Sequence, residues 1–206
     1  MQGDLLPIFP LSIVLLPHND LPLHIFEDRY KEMMAAVLRA GSEFGVVLAA
    51  QGGIASAGCT AAVVEVVKRY DDGRMDVLTS GRRRFHIRSL DQELSYLRGG
   101  VEFFEDGPDD SSLDLRERAI LACDATGEQG PAADSGDTHL SFRLAGRFDD
   151  LMFRQELLVE RSEAGRLRKI VDYAPGYADR RRETERIREV AGKNGHSRNP
   201  PKLDLE

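Results

Sequence analysis

Long apolar runs are missing from this chain of 206 residues, and nothing in it reaches the roughly 18 consecutive residues that a membrane-spanning helix needs. No basic stretch opens it either. Met1-Gln2-Gly3-Asp4 leads into a segment broken by Pro7, Pro10 and Pro17, which argues against a secretory signal. Cysteine is scarce: Cys59 and Cys123 are the only two and stand far apart, which predicts reduced thiols in a cytoplasmic protein rather than a disulfide framework. A basic excess is also lacking. The 28 Lys+Arg against 35 Asp+Glu leave a net charge of −7, which argues against a general nucleic-acid binder. There is no G-x-S-x-G elbow, no G-x-x-x-x-G-K-[ST] phosphate loop and no H-E-x-x-H zinc pair.

What is present has a globular balance, with 41% hydrophobic and 31% charged residues, enough for one domain with an appendage or two small ones. Charge divides unevenly. Residues 1–110 hold 11 basic and 17 acidic side chains, net −6, and residues 111–206 hold 17 and 18, net −1. The apolar spacing changes at the same place, from mostly strand-like to mostly helical.

The opening segment, Leu5 to Leu11, is apolar but carries two prolines without N–H donors, so it reads as an extended edge or bulged strand. Ile13–Leu16 and Leu21–Phe26 are further extended runs around a turn at His18-Asn19-Asp20. From Asp28 the period becomes helical. Tyr30, Met33, Met34, Val37 and Leu38 share one face, acidic Glu27 and Asp28 suit the positive helix start, and Gly41 suits the stop. Phe44–Ala50 and Thr60–Tyr70 read as strands. Asp71-Asp72-Gly73 reads as a hairpin into Arg74–Thr79, Gly81 as a break, and Phe85 with Ile87 as inward positions between arginines. A last strand covers Tyr96–Phe104. About six strands with one early helix suggest a small closed or nearly closed β-barrel, because closure removes exposed edges.

Beyond Asp110, Ser111 or Ser112 caps a helix to about Ala125 with Leu113, Ile120 and Leu121 as its apolar positions. Residues 126–137, rich in glycine, predict a mobile linker. Three helical segments follow. Leu140, Leu144 and Phe148 mark the first; Asp149 or Asp150 caps the second, with Phe153, Leu157 and Leu158 inward; Leu167, Ile170, Val171 and Ala174 mark the third, which Pro175-Gly176 ends. Residues 179–190 read as a solvated helix with Ile187 and Val190 as its large apolar residues, and residues 192–206 as a frayed tail.

Little of this spells chemistry. The five histidines lack metal spacing, which predicts structural roles for them and no bound metal or cofactor. A nucleophilic pair of Cys59 or Cys123 with a histidine has no local signature to support it. Arg82-Arg83-Arg84 with Arg88 forms the sharpest basic cluster. It can grip phosphates with Phe85 stacking on a base, or simply face water and pair with acids such as Asp76. The apolar residues of the early segment, among them Phe9, Leu11, Leu16, Leu23 and Phe26, either lie under the helices or line an exposed groove that binds a partner.

These same residues carry a family likeness. Pro7-Ile8-Phe9-Pro10-Leu11, Val14-Leu15-Leu16-Pro17 and the string from Leu21 to Tyr30 (Leu-Pro-Leu-His-Ile-Phe-Glu-Asp-Arg-Tyr) resemble the opening of the Lon protease N-terminal, substrate-binding domain family. Phe44-Gly45-Val46-Val47, Gly58-Cys59-Thr60-Ala61, Asp71-Asp72-Gly73-Arg74, Gly81 to Phe85 and Ser141-Phe142-Arg143-Leu144-Ala145 follow in order, so the resemblance runs over roughly residues 4–174. It implies an α+β fold in which a small PUA-like β-barrel (1–110) precedes an α-helical domain (111–191, with the linker at 126–137). It also implies a non-catalytic module that binds unfolded or exposed polypeptide segments, working with a protease or chaperone system. The chain stops at Glu206 without a phosphate loop, so the expectation is a stand-alone member lacking the ATPase and peptidase modules, to which proteolysis does not transfer. The alternative that the likeness leaves open is RNA binding through the Arg82–Arg88 strand.

Overall fold

The structure, a computed structural model, describes residues 5–50, 52–130 and 132–194, with side chains as far as residue 187. Its order is β1 (Leu6–Leu11), β2 (Asp20–Ile25), α1 (Asp28–Ala40), β3 (Phe44–Ala50), β4 (Gly53–Arg69), β5 (Met75–Asp91), β6 (Arg98–Phe104), α2 (Leu113–Asp124), α3 (Leu140–Ala145), α4 (Leu151–Val159) and α5 (Glu163–Asn194). The class is therefore α+β, with one mixed six-stranded sheet and five helices. Among the described residues no helix is long and apolar enough to cross a membrane. Residues 195–206 of the expected tail lie outside the described residues, and 192–194 continue α5.

The sheet order is β2-β5-β4-β3-β1-β6, and β5 pairs in addition with β6. Strand β5 is 17 residues long, so its first half ladders with β2 and its second half with β6, while β4 runs beside it on the other edge. Strand β1 is not the edge that its prolines suggested. It lies between β3, to which it is parallel, and β6. The prolines are tolerated because β6 reaches only Leu6 and Pro7, with Ile8 N–H donating to Leu97 O at 2.8 Å. Past Ile8 the strand is laddered to β3 alone, and Pro10 sits there. Successive β1 side chains point to opposite faces, and both faces are covered: Ile8 joins a small cluster with Val47 and Phe85, and Phe9 joins the main core.

Gly81 does not break β5. The segment after β1 crosses the strand at this point, with His18 N–H donating to Gly81 O (3.0 Å) and Gly81 N–H to Asn19 O (2.9 Å). A Cβ on Gly81 would lie 2.2 Å from the Leu16 carbonyl oxygen, so glycine marks a close backbone approach rather than a turn. Gly81→Ala is accordingly expected to cost about 1–3 kcal/mol or more, because backbone cannot yield as a side-chain tip does. Urea unfolding checks this, and an unchanged midpoint would refute the crossing.

Helix α1 follows its sequence pattern. Tyr30, Met33, Met34 and Val37 are buried, and the helix stops at Gly41 in the left-handed conformation (φ 59°). Ser112 caps α2 by accepting from Leu115 N–H, but the face that α2 buries is not the expected one. Leu113 and Leu121 are 60% and 67% exposed, and Leu115, Arg116, Ala119 and Cys123 turn inward. Arg116 can be buried because its guanidinium donates to Ser135 O (2.5 Å), Asp109 (3.0 Å) and Asp137 O. That same side chain ties down part of the expected linker, and Arg143 ties Ala132 O (2.9 Å). Helix α4 is capped as predicted, with the Asp150 carboxylate accepting from Met152 and Phe153 N–H, both at 3.0 Å.

Pro175 does not end the last helix. Helix α5 continues through it, at a cost of about 3 kcal/mol for an interior proline. Contacts beyond the proline offset that cost: Tyr177 and Ala178 are buried, Tyr177 OH donates to Asp149 (2.8 Å), and Arg181 pairs with Glu128 (2.8 Å) and Asp149 (3.0 Å). One hydrophobic cluster joins both halves of the chain, from Phe9, Met33 and Phe44 through Leu140 and Leu157 to Ile170 and Tyr177.

Candidate functional site

The residues expected to form a partner-binding surface mostly do not reach the surface. Phe9 is buried against Tyr30 (ring centroids 4.1 Å apart) and Phe44 (6.2 Å), and Leu16 is buried in the same cluster. Leu11 and Leu23 are half-buried against it. Phe26 alone stands out, 58% exposed, with its ring 5.9 Å from that of His24. The fold fills the anticipated groove with its own side chains, since α1 lays Tyr30, Met33 and Met34 into the core that Phe9 and Leu16 share.

The arginine strand is likewise redistributed. Arg83 donates to Glu43 (3.0 and 3.2 Å) and lies 4.0 Å over the Phe103 ring. Arg88 donates to Glu102 (2.7 Å). Arg84 is buried and donates to Leu158 O (3.0 Å), Glu160 O (2.6 Å) and Asp106. Asp76, the acid anticipated for these arginines, instead accepts from His24 (2.5 Å) and Tyr70 (2.8 Å), and those bonds hold its carboxyl below the usual range. Arg82 is exposed. Phe85 is buried in the small cluster and offers no face to a base.

Arg84 belongs to a buried ionic cluster that fastens the helices to the strands. Arg166 is fully buried and donates to Asp106, Glu163 (2.8 Å), Ser141 Oγ (2.6 Å) and Glu160 O (2.7 Å). Glu163 in turn accepts from Ser141 N–H (2.9 Å) and Oγ–H (2.6 Å), and the Arg166 guanidinium lies 4.1 Å over the Phe142 ring. The Ser141-Phe142 pair, a landmark of the family likeness, is thus a docking point for α5.

Neither cysteine is a nucleophile at neutral pH. Both thiols are buried, and burial pushes each up to about 12, so the reactive thiolate is absent. His18 and His139, far apart in sequence, stack at 4.1 Å beside Arg82 over a hollow of about 310 Å³ floored by Phe103, Phe104 and Phe142. Burial, then His139 and Arg82, push the His18 pKa down. Among the described residues no three His, Cys, Asp or Glu side chains gather as metal ligands.

A second, larger hollow lies elsewhere, at residues that no motif singled out. A groove of about 630 Å³ runs between the start of β4 (Ala55, Ser56, Ala57) and α4 (Met152, Gln155, Glu156, Val159), with Asp150, Phe153 and Tyr173 at its end. Met152 is 72% exposed and Val159 is also exposed. Strand β4 bulges here. Its ladder with β3 jumps from Val47↔Gly58 to Ala49↔Ile54, leaving three β4 residues opposite Leu48. The Gln155 amide bridges the gap by donating from Nε2 to Ala57 O (3.2 Å), and its Oε1 is buried with no donor. One signal of this site was legible: Met152 is an apolar residue off the inward Phe153–Leu157–Leu158 face.

Comparison with known proteins agrees with this architecture. The family model described as the ATP-dependent protease La (LON) substrate-binding domain matches residues 5–134, more than half of the chain. Lon protease of Parabacteroides distasonis is 29% identical over 119 residues, which make up 53% of this chain and 14% of that protein, so the chain spans a small part of this relative. A Lon N-terminal domain protein from Xanthomonas campestris, 26% identical, matches the structure with a TM-score of 0.69 over 83% of this chain and 99% of that one. The N-terminal domain of a Mycobacterium avium complex Lon protease, 16% identical, shares the fold with a TM-score of 0.58 over 84% of this chain and 98% of that one. With that family model matched over residues 5–134, the chain belongs to the LON substrate-binding domain family.

Proposed function

We propose that the chain is a non-catalytic substrate-recognition module that holds exposed apolar segments of other polypeptides in the groove between β4 and α4. The family supports the role, and the observation that carries the place is Met152, exposed in the lining of this groove. An exposed methionine is flexible and polarisable, and it adapts to varied apolar partners. Two protonated, buried thiols support a module with no catalysis of its own. The ring of pairings through β1, β3, β4, β5 and β6 supports reading residues 1–110 as a PUA-like barrel and 111–191 as its helical companion domain. Unfolded polypeptides passed to a protease or chaperone system in the cytoplasm are the partners this reading implies. Phe26 with half-buried Leu23 offers a second, smaller apolar contact. The RNA reading has less support, because Arg83, Arg84 and Arg88 are already matched by carboxylates.

The test is fluorescence anisotropy with labelled α-lactalbumin kept unfolded by reduction and carboxymethylation. The chain is expected to bind it, and Met152→Asp to weaken binding about tenfold, the loss of roughly 1.4 kcal/mol at an apolar contact. An acid in the first turn suits the helix dipole, so the variant should fold normally. Equal affinity for native and unfolded lactalbumin, or no effect of the substitution, would sink the proposal.

A further inference from the structure

The β4 bulge raises a question of backbone accounting, since each N–H and C=O needs a partner when covered. Ala55 and Ser56 have no register partner on either side: the β3 ladder skips them, and the β5 ladder begins at Ala57↔His86. They lie in a strand, in extended conformation, facing the groove. A short stretch of β4 is therefore an unladdered edge inside the groove. Gln155 spends its Nε2 on Ala57 O, which fixes the orientation of the amide and leaves Oε1 as a buried acceptor without a donor. Oε1 is covered by the protein itself, so the Gln155 amide braces the bulge from α4 and leaves the Ala55–Ser56 backbone as the part that faces the groove.

Charge narrows the occupant. The only charged side chains lining the groove are Asp150 and Glu156, both acidic. Asp150 stays ionised, because a hydrogen bond from Tyr173 and the N–H groups it caps hold its carboxyl low. Glu156 is matched in part by Lys169 at 2.6 Å, outside the lining. Arg180, also outside the lining, offsets part of the Asp150 charge. The two lining carboxylates still disfavour an acidic segment and favour a basic flank.

We propose that an extended, apolar peptide segment with a basic flank adds to the Ala55–Ser56 edge of β4 as a short extra strand, laying side chains on Met152 and Val159. This rests on the polypeptide-binding reading above and specifies its mode. Strand addition takes affinity from main-chain hydrogen bonds and specificity from alternate side-chain pockets, so one groove accepts many sequences. That suits recognition of unfolded chains better than a pocket shaped for one side chain.

The probe is a fluorescein-labelled heptapeptide, Lys-Val-Thr-Val-Thr-Val-Lys, titrated into the full chain. Methylating the backbone nitrogens along one edge is expected to weaken binding at least tenfold, and methylating the opposite edge to change it less than twofold. Replacing both lysines by glutamate should weaken it several-fold. Hydrogen exchange at Ala55 and Ser56 should slow when the peptide is added. If both methylated peptides bind as well as the parent while Met152→Asp abolishes binding, strand addition is wrong and apolar docking stands. If neither the heptapeptide nor unfolded lactalbumin binds, both readings fall. If protection at Ala55 and Ser56 tracks protein concentration rather than peptide, the occupant is a second copy of the chain and the proposal is overturned.

Discussion

Arg166→Ala is expected to lower folding stability by about 3–5 kcal/mol, the range for breaking a buried ion pair by removing one partner. The arginine is fully buried, and its loss strands the buried Glu163 carboxylate and leaves the partly exposed Asp106 with Arg84 alone. Adding Glu163→Gln to that background should restore part of the loss, because it removes one stranded carboxylate. The pH dependence follows from the same contacts. Burial pushes the Asp106 carboxyl up, but hydrogen bonds and charge from Arg166, then Arg84, outweigh it and hold the folded value below the ordinary one. A carboxyl depressed by folding contributes stability that is present above its unfolded pKa of about 3.9 and is lost as pH falls through the lower folded value. The wild-type protein should therefore keep this contribution down to about pH 4 and lose it below. In Arg166→Ala only Arg84 remains to oppose burial, so the depression shrinks and the variant should lose less stability than the wild type as pH falls from 5 to 3. Urea midpoints at pH 7, 5 and 3 for both proteins decide it. A shift below about 0.5 kcal/mol at pH 7 would mean that the cluster does not hold the helices on the strands.

Phe9→Asp should unfold the protein, and Phe26→Asp should leave it folded. An unpaired carboxylate between Tyr30 and Phe44 costs several kcal/mol, a large part of the about 5–15 kcal/mol that stabilises a domain. At Phe26 the ring already faces water, so stability should stay within about 0.5 kcal/mol. Circular dichroism melts separate the two outcomes. The soluble Phe26→Asp variant then has a second use with unfolded lactalbumin. Weakened binding would make Phe26 part of the recognition surface, and unchanged binding would confine recognition to the β4–α4 groove. A cooperative, wild-type melt for Phe9→Asp would contradict the burial of β1.

Features of this chain that depend on near neighbours were legible in the sequence, and those that depend on distant residues were not. Helix α1 was legible because the spacing of Tyr30, Met33, Met34 and Val37 and the stop at Gly41 are local facts. The Asp150 cap, the inward face of α4 and the hairpin at Asp71-Asp72-Gly73 were legible for the same reason. Gly81 was misread as a break because its meaning lies in the backbone of Leu16, some sixty-five residues away. The inward face of α2 was misread because α5 packs against that helix, and because Arg116 could be buried once carbonyls from residues 135 and 137 met it. Arg84 looked solvent-facing for the same reason, since its acceptors come from the end of α4 and from Asp106.

By itself, then, the sequence determined the α+β class, the early helix, most strand positions, the absence of a membrane-spanning helix and the family likeness. All of these follow from periodicity, turn chemistry and short motifs, which act over a few residues. Only the tertiary structure decided which apolar residues are core and which are surface. Phe9 and Phe26 look alike along the chain, yet one meets Tyr30 and Phe44 and the other meets water. It also decided that a bulge in β4 would face Met152 and Gln155, because burial and unpaired backbone are properties of what the rest of the chain brings alongside.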